Sequence, residues 1–298
     1  MTESIDKLGQ KPFKASSKKT GPWFDVWRRL KRNKLAIFGI VAIIMLILIA
    51  LFADVIAPYK YDEQQLANAF QSPGKEYLFG TDEFGRDIFS RVIYGSRVSL
   101  MVGFIAVGIA LVCGGLLGAI AGFYGGKIDN SIMRVMDVLL AIPSMLLAIA
   151  IVAALGPGLF NLMIAVGISS IPTYARTVRA AVMTIKGMEF IEASVVSGAS
   201  DFRIIFKHII PNCLAPVIIQ ATLGVAGAIL TAAGMSFIGL GIQPPNPEWG
   251  AMLSGGRAYI RDYSYMTLFP GIAIMITILS LNILGDGLRD ALDPKLKN

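Results

Sequence analysis

The run VLLAIPSMLLAIAIVAALGPGLFNLMIAVGISSIPTYA, Val138 to Ala175, continues for 38 residues without a charge. As a single helix it would be about 57 Å long at 1.5 Å per residue, against a hydrocarbon core about 30 Å thick. The chain must therefore turn back. Gly156-Pro157-Gly158 near the middle is the breaker, which predicts two spans of about eighteen residues in a tight hairpin, with Pro143 and Pro172 kinking them from inside.

Outward from this hairpin the pattern repeats. Uncharged runs cover Leu35–Ala53, Val98–Tyr124, Cys213–Ile242 and Tyr263–Gly285, so the expectation is an all-α, polytopic membrane protein with six spans. With 55% hydrophobic and 16% charged residues and a mean hydropathy of +0.65, a water-soluble core is excluded. Gly114, Gly118 and Gly122 either line one helix face for a close neighbour or reflect the general glycine enrichment of membrane helices.

Six spans place both termini on one side. With those termini cytoplasmic, inside segments hold twenty Lys and Arg residues and outside segments seven, the sense of the positive-inside bias. The organisation read this way is a basic tail at 1–34, a first span at 35–57, an outside loop at 58–96, a five-helix body at 97–290 with a cytoplasmic arm at 176–212, and a tail at 291–298. Residues 1–34 hold ten of the 27 basic residues, with Trp23, Phe24 and Trp27 interleaved, which suits a membrane interface. The net charge of +7 is thus topological and no nucleic-acid signal. Cys113 and Cys213 form no disulfide framework.

Motifs for catalysis are missing. His208 stands without a nucleophile pattern. Gly125-Gly126-Lys127-Ile128 has Ile128 where a phosphate-binding loop needs a hydroxyl, and Ala121 where it needs its first glycine, so the chain itself should bind no ATP and no other cofactor. Asp82, Glu83, Arg86 and Asp87 lack His or Cys company and read as surface ion pairs of a folded loop. Asp137 with Arg134, three residues apart, reads as a helix-face pair. A gradient-driven carrier would need ionisable groups near the midplane. The spans supply neutral ones, of which Asn161, Ser169, Ser170, Gln220, Thr222, Ser236 and Asn282 are candidates for lining a path.

The arm at 176–212 carries the sharper signal. Met188, Ile191 and Val195 share one helical face, and Glu189 and Glu192 another. After Gly198, Ser200 reads as an N-cap, Phe202, Ile205 and Ile209 form a second apolar stripe, and Pro211 should end that short helix. This predicts a helix-turn-helix on the cytoplasmic face.

Glu192-Ala193-Ser194, Gly198, Ile209 and Pro211 resemble the EAA loop of ATP-binding-cassette importer permeases, with Ser194 in place of the usual second alanine. Gly80-Thr-Asp-Glu-Phe-Gly-Arg-Asp87, Gln243-Pro-Pro-Asn-Pro-Glu-Trp-Gly250 and Gly285-Asp-Gly-Leu-Arg-Asp-Ala-Leu-Asp-Pro-Lys295 resemble the second permease subunit of dipeptide/oligopeptide importers. The resemblance implies a type I importer permease fold in a bacterial cytoplasmic membrane. It also implies a homologous permease partner, two ATPase subunits that use ATP and Mg, and an extracytoplasmic solute-binding protein. Glu189, Glu192, Ala193, Ser194, Gly198, Ala199, Asp201, Ile209 and Pro211 would form the ATPase-coupling loop. Similar motifs serve dipeptides, longer peptides, glutathione and nickel chelates.

Overall fold

The computed structural model describes residues 22–292. The first 21 residues of the basic tail, and Lys295 and Lys297 of the last tail, lie outside them. Helices run in the order α1 (Pro22–Leu30), α2 (Lys34–Leu51), α3 (Ala53–Ile56), α4 (Ile88–Tyr124), α5 (Gly126–Leu140), α6 (Ser144–Leu155), α7 (Leu159–Lys186), α8 (Glu189–Val196), α9 (Asp201–Arg203), α10 (Leu214–Phe237), α11 (Trp249–Gly256) and α12 (Tyr265–Leu292). No strand forms among the described residues; one isolated bridge joins Thr81 to Asp87. Among the described residues, four continuous helical stretches are long and apolar enough to cross a membrane: α2, α4, Asp201–Phe237 and α12.

The opening hairpin turns at Gly156-Pro157-Gly158 as expected, with both glycines at positive φ. The Asn161 side-chain amide staples the turn, donating to the carbonyls of Leu155 and Gly156 at 2.9 and 3.0 Å. The half before it departs from expectation. In place of one span kinked at Pro143, α5 and α6 are separate helices bent by 87°. Pro143 lacks an N–H and disfavours helical backbone at Ile142, so α5 ends and α6 starts afresh after it. The twelve residues of α6 reach only about 18 Å. The half after the turn, α7, is long but more polar than the other long helices, because much of it packs against protein and not lipid.

Two boundaries also shift. The loop expected to reach residue 96 ends at Asp87, because the Asp87 carboxylate accepts from the Ser90 N–H at 2.8 Å and caps α4. Arg91 and Arg97 therefore ride on the helix. Arg97 donates to the carbonyls of Ala50 and Leu51 and pairs with Asp54 at 2.8 Å, closing the C-terminal end of α2. The arm, in turn, starts after Lys186, since its first eleven residues extend α7.

The bundle is centred on α4 against α7. A Cβ on Gly114 would stand 2.5 Å from the Ile171 carbonyl, one on Gly118 would collide with the Ala175 carbonyl, and one on Gly122 would lie 2.9 Å from Val182 Cβ. Of the two readings of this glycine stripe, the close-approach one holds. Tyr174 of α7 lies over Gly114, reaches Gly224 of α10, and donates to the Gln220 carbonyl at 3.3 Å. One side chain thus ties three helices. On the far side α12 packs on α2, where a Cβ on Gly39 would meet the Ser280 carbonyl at 2.9 Å.

Gly118→Leu should push α4 off α7 and cost about 1–3 kcal/mol or more, seen as a lower melting temperature and poor recovery of monodisperse protein in detergent. Gly108→Leu, on the same helix with open space at its Cβ, should leave both unchanged. Equal behaviour of the two variants would refute the glycine contact as the determinant.

Candidate functional site

At the C-terminal end of α4 and α7 the chain leaves the bundle as a compact arm. Glu189 and Glu192 occupy the exposed first turn of α8, where carboxylates suit the helix dipole. Ala193 is exposed beside them. Ser194, half-buried, donates its hydroxyl to the Phe190 carbonyl at 2.8 Å, so it sits in the helix as a small side chain satisfied by its own backbone. Gly198 ends the helix at φ +76°. The Ala199 N–H returns to the Ser194 carbonyl at 3.1 Å and the Gly198 N–H to the Val195 carbonyl at 2.9 Å, the paired bonds of a Schellman close. Ser200 then takes the N-cap position with extended backbone, without a side-chain cap bond, and Asp201 begins α9.

Pro211 does not end this second helix. The helical path continues from Asp201 to Phe237, widening to π geometry over Ile204–Ile209 and tightening to 3-10 over Ile210–Cys213 before α10. Proline removes one N–H and crowds the carbonyl four residues back. Inserting a residue into the turn relieves both problems. The His208 carbonyl takes the Asn212 side-chain amide at 2.6 Å. The arm is therefore continuous with α10 at one end and joined to α7 through Gly187 and Met188 at the other.

The apolar stripes differ from the sequence reading. Ile191 (2% exposed), Ile204, Ile205 and Ile209 are buried against Val178, Val182, Ile185 and Phe123. Met188, Val195 and Phe202 face outward instead, with Val196 at 88% and Phe202 at 70% exposure. The Schellman turn folds the arm back, and the π turn rotates Ile204 inward. Phe202 and Phe206 pack with centroids 4.4 Å apart. The result is an exposed apolar surface flanked by Glu189, Glu192, Arg203 and Lys207. An open groove of about 940 Å³ runs between α8 and the α4–α5 turn, lined by Tyr124, Gly125, Ile191, Glu192 and Val195. Helical periodicity alone could not find this surface, because it arises from the break in periodicity.

Two ion pairs anchor the base of the arm. Arg179 donates from Nε and Nη2 to the two carboxylate oxygens of Asp129 at 2.5 and 2.6 Å, and Arg176 meets Asp137 at 2.5 Å. Asp137 thus pairs across α5 and α7, not along its own helix with Arg134. The bend at Pro143 lays α5 beside α7 and makes the tertiary partner available.

The neutral polar residues scatter. Ser169 and Ser236 are buried; Ser169 and the half-buried Ser170 both donate to the Val166 carbonyl at 2.9 Å. Thr222 donates to the Ile218 carbonyl at 2.9 Å. Asn161 holds the hairpin, Gln220 is half-buried on α10 and Asn282 is exposed on α12.

At the opposite end of α4 Asp82, Arg86 and Asp87 are buried and Glu83 is half-buried, which corrects the expectation of surface pairs. Arg86 Nε meets Asp82 at 2.6 Å, Arg91 stands 3.7 Å from the same carboxylate, and Arg91 also donates to the Tyr61 carbonyl at 2.8 Å. No group of acidic, His or Cys side chains among the described residues suits a metal. Beside this cluster Glu248-Trp249-Gly250 is wedged between α4 and α10. Trp249 packs on Gly95 and donates to the Val92 carbonyl at 2.9 Å, and Gly250 lies on Ala233. Glu248, 2% exposed, accepts from the N–H groups of Gly250 and Ala251 at 2.9 and 2.8 Å and lies against Ser99 and Ser236. Burial pushes its carboxyl above the usual range, opposed by those hydrogen bonds. The sequence signal for it was a carboxylate inside a proline-rich loop ending in Trp-Gly.

Comparison with known proteins gives consistent matches. The family described as "Binding-protein-dependent transport system inner membrane component" matches residues 114–298, and "N-terminal TM domain of oligopeptide transport permease C" matches residues 21–73. The chain is 53% identical over 277 residues to the dipeptide transport system permease protein DppC of Alkalihalophilus pseudofirmus, covering 93% of this chain and 91% of the relative. It is 45% identical to the glutathione transport system permease protein GsiD of Escherichia coli, with coverage of 93% and 91%. Among solved structures, the inward-facing MetNI methionine ABC transporter aligns with a TM-score of 0.56 at 19% identity, covering 68% of this chain and 97% of that one.

Because the folded state holds the Glu248 proton to higher pH than the unfolded chain does, its contribution to stability is complete below the ordinary glutamate value and is lost as pH rises through the folded value. Melting of the wild type should therefore weaken as pH rises from about 4.5, and Glu248→Gln should flatten that slope. Identical slopes would show that the wedge carboxylate does not titrate in this way.

Proposed function

The chain belongs to the family of binding-protein-dependent transport system inner membrane components, as a multi-pass protein of the bacterial cytoplasmic membrane. From that membership we propose that it is one of two permease subunits of an ATP-driven importer of dipeptides and oligopeptides. Six crossings are formed by α2, α4, the broken α5–α6 pair, α7, α10 and α12. Both termini lie in the cytoplasm, supported by the twenty-to-seven distribution of basic residues.

The observation that carries this reading is mechanical. α8 presents charged and apolar side chains outward while its ends are fixed to two long helices: to α7 through a two-residue link, and to α10 through the tight turn at Gly198 and the helical path that begins at Asp201. A partner gripping α8 moves both. Two cytoplasmic ATPase subunits, which bind the ATP and Mg, each take one such arm, this chain's and that of the homologous permease. Glu189, Glu192, Phe202 and Phe206 supply the contact, and Gly198 with Ala193, Ser194, Ala199, Asp201, Ile209 and Pro211 gives the arm its shape. Nucleotide-driven closure then biases the bundle between inward- and outward-open states, and a loaded solute-binding protein biases it from the other side. Asn282, Gln220, Ser170 and Thr222 are the candidates that retain exposure toward a path between the two permeases. The dipeptide reading rests on the higher identity to the dipeptide relative than to the glutathione one.

Glu192→Lys reverses a contact charge, and Gly198→Trp adds bulk at a residue whose φ of +76° costs other residues about 1–2 kcal/mol. Both should insert normally yet lose ATPase subunits on co-purification by at least about tenfold and lose uptake; unchanged retention and uptake in both would remove α8 from the coupling role. Mass spectrometry of the ligand carried by the partner binding protein should show dipeptides. Glutathione there would reassign the substrate and leave the coupling reading intact.

A further inference from the structure

The elbow between α1 and α2 gathers Arg28, Arg29, Lys31, Arg32 and Lys34. Its inner side is apolar: Val26 and Leu30 of α1 pack with Ala36 and Ile40 of α2 and with Leu288 and Ala291 of α12. Its outer side combines cations with aromatic rings. Phe24 and Trp27 are about half exposed, with the Arg28 guanidinium 4.9 Å from the Phe24 ring centroid and the Lys31 ammonium 5.1 Å from that of Trp27. Lys31, Arg32 and Lys34 are exposed and form no ion pair among the described residues. Directly beyond them the apolar surface of α2 begins, with Leu35, Phe38, Val41 and Met45 exposed, a surface suited to acyl chains.

These placements fix the level of the cations without reference to which side of the membrane they occupy. They stand where acyl chains give way to headgroups, the level favoured by indole rings and snorkelling cations. Three positive charges that stand there without an ion pair among the described residues call for a negative partner with its own acyl chains. We propose that the α1–α2 elbow is a binding site for the headgroup of an anionic phospholipid, held by Lys31, Arg32 and Lys34 with Trp27 beside it.

The full-length protein, purified in neutral detergent and doped with phosphatidylglycerol or phosphatidylcholine of matched chains, provides the test through native mass spectrometry of retained lipid. The wild type should retain phosphatidylglycerol preferentially, by about fivefold per elbow charge at low salt, and lose the preference at molar salt. Lys31→Gln, Arg32→Gln and Lys34→Gln combined should abolish the preference while melting in phosphatidylcholine stays as in the wild type. Arg257→Gln with Arg261→Gln, which removes cations between α11 and α12, should retain it. Equal retention of both lipids by the wild type would overturn the proposal. So would loss of preference in the Arg257 and Arg261 variant alone, or displacement of the lipid by millimolar inorganic phosphate.

Discussion

Everything in this molecule is placed by the contact of α4 with α7. In a hydrocarbon solvent there is no gain from burying one apolar surface against another, so helices associate through close packing and polar satisfaction. Gly114, Gly118 and Gly122 let the backbone of α7 come within contact of α4 at three successive turns, and Tyr174 extends that contact to α10. Once α7 is held there, it can carry Ser169, Ser170 and Pro172 in the protein interior, where a lipid-facing helix would need apolar side chains throughout. The same contact sets the position from which the arm departs, since Ile185 and Val182 continue the α4-facing side of α7 into the core beneath α8.

How much of this is legible from sequence follows from how local each determinant is. Uncharged run lengths and Gly156-Pro157-Gly158 act within a few residues, and the hairpin turn forms where they place it. The glycine spacing is readable as a face but not as a partner; only the fold shows that α7 fills it. Prolines mislead in both directions. Pro143, expected to kink a span, breaks it, with the residues from Ala141 to Leu146 exposed around the break. Pro211, expected to end a helix, is absorbed by a π turn, because the buried Ile204, Ile205 and Ile209 hold the chain on its axis. Single-residue propensity states the local cost, and tertiary packing decides whether the chain bends, breaks or widens.

The charged residues teach the same lesson at the bundle ends. Asp82, Glu83, Arg86 and Asp87 look like surface pairs in sequence, yet all but the half-buried Glu83 are buried, with Arg91 beside them, because the loop after α10 returns over them, with Pro245 close enough to accept from Arg91 at 3.4 Å. Glu248 could not be ranked from sequence either. Its environment is made by Ser99 and Ser236 on two helices far apart in the chain, together with the backbone N–H groups that it caps. A buried carboxylate satisfied from three elements is expensive to expose alone. It therefore joins α4, α10 and α11 into one unit at that end.

That asymmetry bears on how a push at the arm would travel. At the arm end, α10 is continuous with the segment from Asp201 and shares the load with α7. At the wedge end, α10 is tied to α4 through Glu248, Trp249 and Gly250, while α7 has already turned back toward α6 at Gly158. In the proposed cycle, force entering at α8 thus acts on the α7–α10 pair as a lever, whose resistance lies in the wedge and whose fulcrum lies along the glycine face of α4. Close backbone contact transmits such a load with little give, since no flexible side chains stand between the two helices. The arm and the wedge are then two ends of one mechanical element, set at opposite ends of the 37-residue helical path from Asp201 to Phe237.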